Sequence, residues 1–145
     1  LNGAVITGIE KIRERTRYYH ENEMMAEKKP YLIVMTDGAD TVRGNVDEAA
    51  QLVNERIGEG KMKLFFLGVG DYDKATAAQL NRANGKFCFE MKDGDYDFHE
   101  FFDFAANSVK AASTSAPGAT LHVPTTIGTA DSSVAVTSLD SWLNN

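Results

Sequence analysis

Apolar residues recur at helical spacing near the amino terminus, where Val5, Ile6, Ile9, Ile12, Thr16 and Tyr19 predict an amphipathic helix over roughly residues 4 to 24. Pro30 closes the linker that follows. Tyr31-Leu-Ile-Val-Met35 is then an almost unbroken apolar run ending at Thr36-Asp37-Gly38, the pattern of a parallel strand covered on both faces. Asn45 and Glu48 mark a capped helix start, and Val46, Ala49, Ala50, Val53 and Ile57 supply an apolar stripe that ends at Gly58 and Gly60.

Lys63 to Gly70 predicts a second buried strand. Asp73 caps a helix running through about Ala83, with Asn84-Gly85 as its terminator, and Phe87 to Met91 reads as a third strand. Asp97 with Glu100 caps a last helix whose packing face is Phe98, Phe101, Phe102, Ala105 and Val109. This alternation predicts right-handed crossovers and an α/β fold: a three-layer, Rossmann-like parallel sheet with helices on both faces. Three strands make a small sheet.

From Ser113 onward the composition turns to Ser, Thr, Ala, Gly and Asp, which buries too little apolar area to offset chain ordering. The α/β module is therefore expected over residues 1–112 and a Ser/Thr-rich tail over 113–145. Two apolar islands interrupt that tail, Leu121-His-Val-Pro124 and the stretch from Val134 to Leu143. Leu139, Trp142 and Leu143 have the spacing of a short helical anchor for a partner.

The chain's 145 residues, 43% hydrophobic and 25% charged, suit one ordinary domain. A net charge of -6, from 15 basic against 21 acidic residues, argues against a nucleic-acid surface. Lys11, Arg13, Arg15 and Arg17 alternate along their helix, where residues two apart point to different faces, and read as solvated surface. Cys88 is the single cysteine and, between Phe87 and Phe89, is expected to be a buried thiol, which favours the cytoplasm. No apolar run reaches membrane-span length, and no signal-peptide pattern opens the chain. Beginning on Leu1 within a helical pattern, the sequence reads as a fragment or a processed product.

The chemistry concentrates at Thr36, Asp37 and Asp40, which follow the first strand. Ligands of open parallel sheets gather outside the carboxyl ends of strands, and Gly38 allows a sharp turn there. Carboxylate and hydroxyl oxygens suit Mg²⁺ or Mn²⁺ better than Zn²⁺. The plain alternative is that Asp-Gly after a strand is only a turn.

Tyr31-Leu-Ile-Val-Met-Thr-Asp-Gly38 resembles the fourth strand of von Willebrand factor type A domains. Gly3-Ala-Val-Ile-Thr-Gly-Ile9, followed by Arg15-Thr-Arg-Tyr-Tyr19, looks like the helix before that strand, and Phe65-Phe-Leu-Gly-Val-Gly70 looks like the fifth strand. The segment from Phe98 to Ser115 is similar to the bacterial branch associated with tellurite resistance and stress operons. The likeness covers most of residues 1 to 124.

This resemblance implies a protein-binding module with a metal-ion-dependent adhesion site, where a divalent cation is completed by a partner's carboxylate. Asp37 matches the family aspartate. The family's Asp-x-Ser-x-Ser is missing here, Gly3 stands where its threonine aligns, and Thr7 comes too late to replace it. The resemblance also implies an incomplete module that lacks the family's first three strands; because the family's fourth strand pairs with its first, an unpaired edge is expected, filled by a separate amino-terminal segment or by self-pairing through residues 31 to 36.

Other constellations carry less. Asp93-Gly-Asp-Tyr-Asp97 alternates like a calcium loop, but Phe98 stands where glycine is needed and Phe104 where a bidentate glutamate is needed, so helix capping is the expected role. His20, His99 and His122 lack companions at metal or triad spacing, and Ser108 and Ser113 have no evident base. An Mg²⁺-dependent phosphohydrolase using Asp37 and Asp40, with Asp71, Asp73 and Asp93 on the rim, would need cations at the strand ends, where the sequence places only Arg43. A metal-free structural scaffold is the third reading. The expectation is thus a protein-interaction module rather than an enzyme, with a protein partner and neither nucleic acid nor membrane.

Overall fold

The computed structural model describes residues 1–24, 28–38, 46–84, 88–91, 97–114 and 134–137. Its elements run α1 (Asn2–Glu21), β1 (Tyr31–Thr36), α2 (Val46–Gly58), β2 (Lys63–Gly68), α3 (Lys74–Leu80), β3 (Cys88–Met91), α4 (His99–Thr114) and β4 (Val134–Thr137). The strands form one open sheet in the order β1-β2-β3-β4, with β1 parallel to β2, β2 parallel to β3, and β4 antiparallel to β3. This is an α/β fold with a mostly parallel sheet.

Side-chain alternation divides the interior in two. On one face Val34, Leu64, Phe66 and Cys88 pack with Val5 and Ile9 of α1, Ala49 and Val53 of α2, and Ala77 and Leu80 of α3. On the other, Phe65, Leu67, Phe89 and Met91 pack with Phe101, Phe104 and Ala105 of α4 and with Val134. Phe89 lies at the centre of the second core, 5.1 Å from the Phe104 ring and 5.6 Å from that of Phe101. β2 is buried on both faces, which explains its unbroken apolar run.

Four expectations change. β4 lies at residues 134–137, inside the stretch whose composition reads as a tail, so the described residues form a sheet of four strands with one antiparallel edge. Its Val134 is a buried β-branched residue suited to a pleated surface. The packing face of α4 is Phe101, Phe104 and Ala105, while Phe102 and Val109 are 49% and 39% exposed. α3 ends at Leu80, where the Asn81 amide donates to Ala77 O at 2.8 Å and Asn54 of α2 donates to Gln79 O at 2.8 Å.

Asn45, Gly85, Phe87, the tail islands Leu121 to Pro124 and Leu139 to Leu143, and His122 lie outside the described residues. Among the described residues no helix is long and apolar enough to cross a membrane.

Candidate functional site

The carboxyl ends of β1 and β2 lie side by side. Thr36 pairs with Gly68, and beyond that pair the Val69 N–H donates to Thr36 O at 2.9 Å. The two chains then part, one into Asp37-Gly38 and the other into Gly70-Asp71. Gly70 has φ +58°, a backbone shape that favours glycine. Gly68 meets a different demand: a Cβ added there would overlap the Tyr72 ring, which folds back over the strand end.

An open cleft of about 650 Å³ lies at this parting, lined by Met35, Thr36, Asp37, Val69, Gly70, Asp71 and Phe98. Its walls are apolar at Met35, Val69 and Phe98 and acidic at Asp37 and Asp71, with no Lys or Arg among the described lining residues. A second cleft of about 480 Å³ shares Gly70 and Asp71 and continues to Tyr72, Lys74, Glu90, Met91 and Ala135. There Lys74 Nζ lies 3.3 Å from Glu90 Oε1. By sequence, Arg43 alone stands as a cation near the strand ends. The structure adds Lys74, whose contact with β3 no local pattern announced.

Of the three predicted metal residues, Thr36 and Asp37 both line the cleft, and Asp40 lies outside the described residues, as does Arg43. Thr36 Oγ1 donates to Gly38 O at 3.2 Å, leaving its lone pairs available. Asp73 is a helix cap: Oδ1 accepts from the N–H groups of Ala75 and Thr76 at 3.0 and 3.1 Å, and Oδ2 accepts from Thr76 Oγ1 at 2.8 Å. Asp97 accepts from His99 N–H at 2.9 Å, the capping role expected of it, while Asp93 and Asp95 lie outside the described residues.

These donors do not by themselves make a Mg²⁺ site. That ion asks for near-octahedral oxygen coordination, whereas the described residues of the cleft offer two carboxylates and one hydroxyl. Among the described residues no three His, Cys, Asp or Glu side chains converge. The thiol of Cys88 is buried, and burial pushes its pKa up to about 12, with a hydrogen bond to Asn84 acting in the opposite direction. A thiol so held is neutral and inert as a nucleophile at neutral pH.

The site extends from the cleft along β1. Alternation along a strand sends the N–H and C=O of successive residues to opposite sides. Pro30 O accepts from Lys63 N–H at 3.0 Å and Thr36 O from Val69 N–H, so the even-numbered residues face β2. Tyr31, Ile33 and Met35 therefore direct their backbone groups to the free edge, where no described strand pairs with them. The side chains of Ile33 and Met35 are 41% and 38% exposed on the α4 side of the sheet, because α4 covers β2 and β3 but not β1. No family model, no characterised protein and no solved structure matches the chain.

Proposed function

We propose that this chain is a protein-binding module, engaged along the β1 edge and in the cleft at its carboxyl end. The observation that carries the reading is the edge itself: backbone groups at Tyr31, Ile33 and Met35 that no described strand shares, beside two exposed apolar side chains, ending at the acidic cleft. Such an edge is a template for strand addition. It lacks the usual guards, since Tyr31 to Thr36 contains no Lys, Glu or Pro.

Catalysis has less support. Among the described rim residues, Asp73 is engaged as a cap and Lys74 lies against Glu90. The von Willebrand A type and a cytoplasmic setting are the finer parts of the proposal, supported by the strand-end motifs Thr36-Asp-Gly38 and Gly68-Val-Gly70 and by the single, buried cysteine.

The test is site-specific photocrosslinking in cells. A photoreactive phenylalanine analogue at Ile33 or Met35 should give discrete protein adducts that an equivalent probe at exposed Gln51 does not. Equal labelling from all three positions would refute the reading. Adducts that form only with added Mg²⁺ would favour its metal-dependent version.

A further inference from the structure

The β1 edge and the cleft are continuous, and their chemistry describes what fits them. Met35 belongs to both: its backbone faces the free edge and its side chain lines the cleft. A strand added beside β1 would therefore run directly to Asp37 and Asp71. Neither carboxylate has an ion-pair partner among the described residues, and Met35, Val69 and Phe98 form an apolar wall beside them. A long cationic side chain matches this arrangement, with its methylene stem against the apolar wall and its charged head at the carboxylates. The chain's net charge of -6 adds a long-range attraction for basic partners.

The layer above the sheet adds a demand that a second copy of this chain must meet and a single added strand does not. α1 lies close over β1: a Cβ added at Gly8 would come 2.9 Å from Leu32 Cδ1. In an edge-to-edge dimer the two β1 strands would be about 4.8 Å apart, and each would carry its own α1 on the same face. Packed helices need about 8–10 Å between axes, so two copies could pair only by also fitting their two α1 helices side by side above the seam. A lone extended segment brings no helix and meets no such obstacle.

We propose, building on the protein-binding reading above, that the site takes an extended basic segment of a partner protein. Its strand pairs with Tyr31, Ile33 and Met35, and its Lys or Arg occupies the Asp37–Asp71 cleft. This partner chemistry is opposite to the metal-bridged carboxylate that the family resemblance implies.

A displayed library of random ten-residue peptides, selected on the full chain without divalent cations, is the probe. The expected peptides alternate apolar residues and carry Lys or Arg at one end. A selected peptide should bind at least about tenfold more weakly to Asp37→Asn/Asp71→Asn and to Ile33→Pro. Ile33→Pro removes only an edge-facing N–H, so the β1–β2 ladder survives, and circular dichroism checks that it does. Edge-dependent peptides with no basic preference would overturn the charge assignment and leave the protein-binding reading standing. Acidic peptides selected only with Mg²⁺ would also overturn it, in favour of a metal bridge. A concentration-dependent dimer abolished by Ile33→Pro would identify a second copy as the occupant. Failure to select any peptide, with Ile33 crosslinks still forming, would overturn the extended-strand mode alone.

Discussion

The Val69 N–H donates to the Thr36 carbonyl at 2.9 Å, one residue past the last pair of the β1–β2 ladder. This bond ties the two chains together just before each releases an aspartate, so the positions of Asp37 and Asp71 follow from backbone pairing rather than from loop conformation alone. The carboxylates are attached to the most deeply buried strand of the fold and its neighbour, which is how a rigid scaffold presents a binding group.

Because Asp37 is exposed and accepts no hydrogen bond from another of the described residues, Asp37→Asn should change unfolding free energy by no more than about 0.5 kcal/mol. Urea denaturation checks this. A larger loss would show that Asp37 serves the turn rather than a ligand.

Gly68→Ala should be disruptive despite its small size. The new methyl group would overlap the Tyr72 ring, which is itself buried, and overpacking of this kind costs about 1–3 kcal/mol. Near-ultraviolet circular dichroism should report a displaced tyrosine along with the lower urea midpoint. Unchanged spectra and stability would mean that Tyr72 moves aside freely.

Asn54 joins α2 to the end of α3 with one side chain. Its amide donates to Ala50 O at 2.7 Å and Gln79 O at 2.8 Å, and its oxygen accepts from Ala83 N–H at 2.6 Å. Asn54→Ala should destabilise the chain by about 1–3 kcal/mol, the range for leaving such groups unsatisfied. Hydrogen exchange should show the loss first around residues 79–83.

Alkaline pH should weaken the fold through Cys88. Its thiol is held at about 12 in the folded chain, above its unfolded value near about 8.5, so the folded state retains a proton that the unfolded state loses. The stabilisation of the neutral thiol is complete below the unfolded pKa and is lost as pH rises toward 12, with a slope of at most about 1.4 kcal/mol per pH unit. Denaturation from pH 8 to about 11 should show a flatter decline for Cys88→Ala than for the natural chain. Equal slopes would show that the thiol is not what titrates.

The order of the first seven elements was legible because each carries its own local signal: a two-face apolar run for β1 and β2, a side-chain cap for α3, a single apolar stripe for α2. What escaped depends on contacts distant in sequence. α4 carries Phe101, Phe102 and Phe104, so two overlapping stripes were available, and Phe89 on β3 selects the one containing Phe104. β4 has only four residues in a polar setting, and its pairing with β3 is what makes it a strand. α3 stops early because Asn54, 25 residues before Gln79, binds its last turn. At the site, Thr36 and Asp37 were visible from the strand that precedes them. The place of Asp71 opposite Asp37, and of Lys74 against Glu90, follows from strand order, which no local motif encodes.

Residue-resolved amide exchange along β1 tests the central claim most directly. If the edge is open in the free chain, the N–H groups of Ile33 and Met35 exchange rapidly while those of Leu32 and Val34, directed at β2, stay protected. Uniform protection of all four would mean that the edge is already covered, and the account of β1 as a docking strand would be wrong.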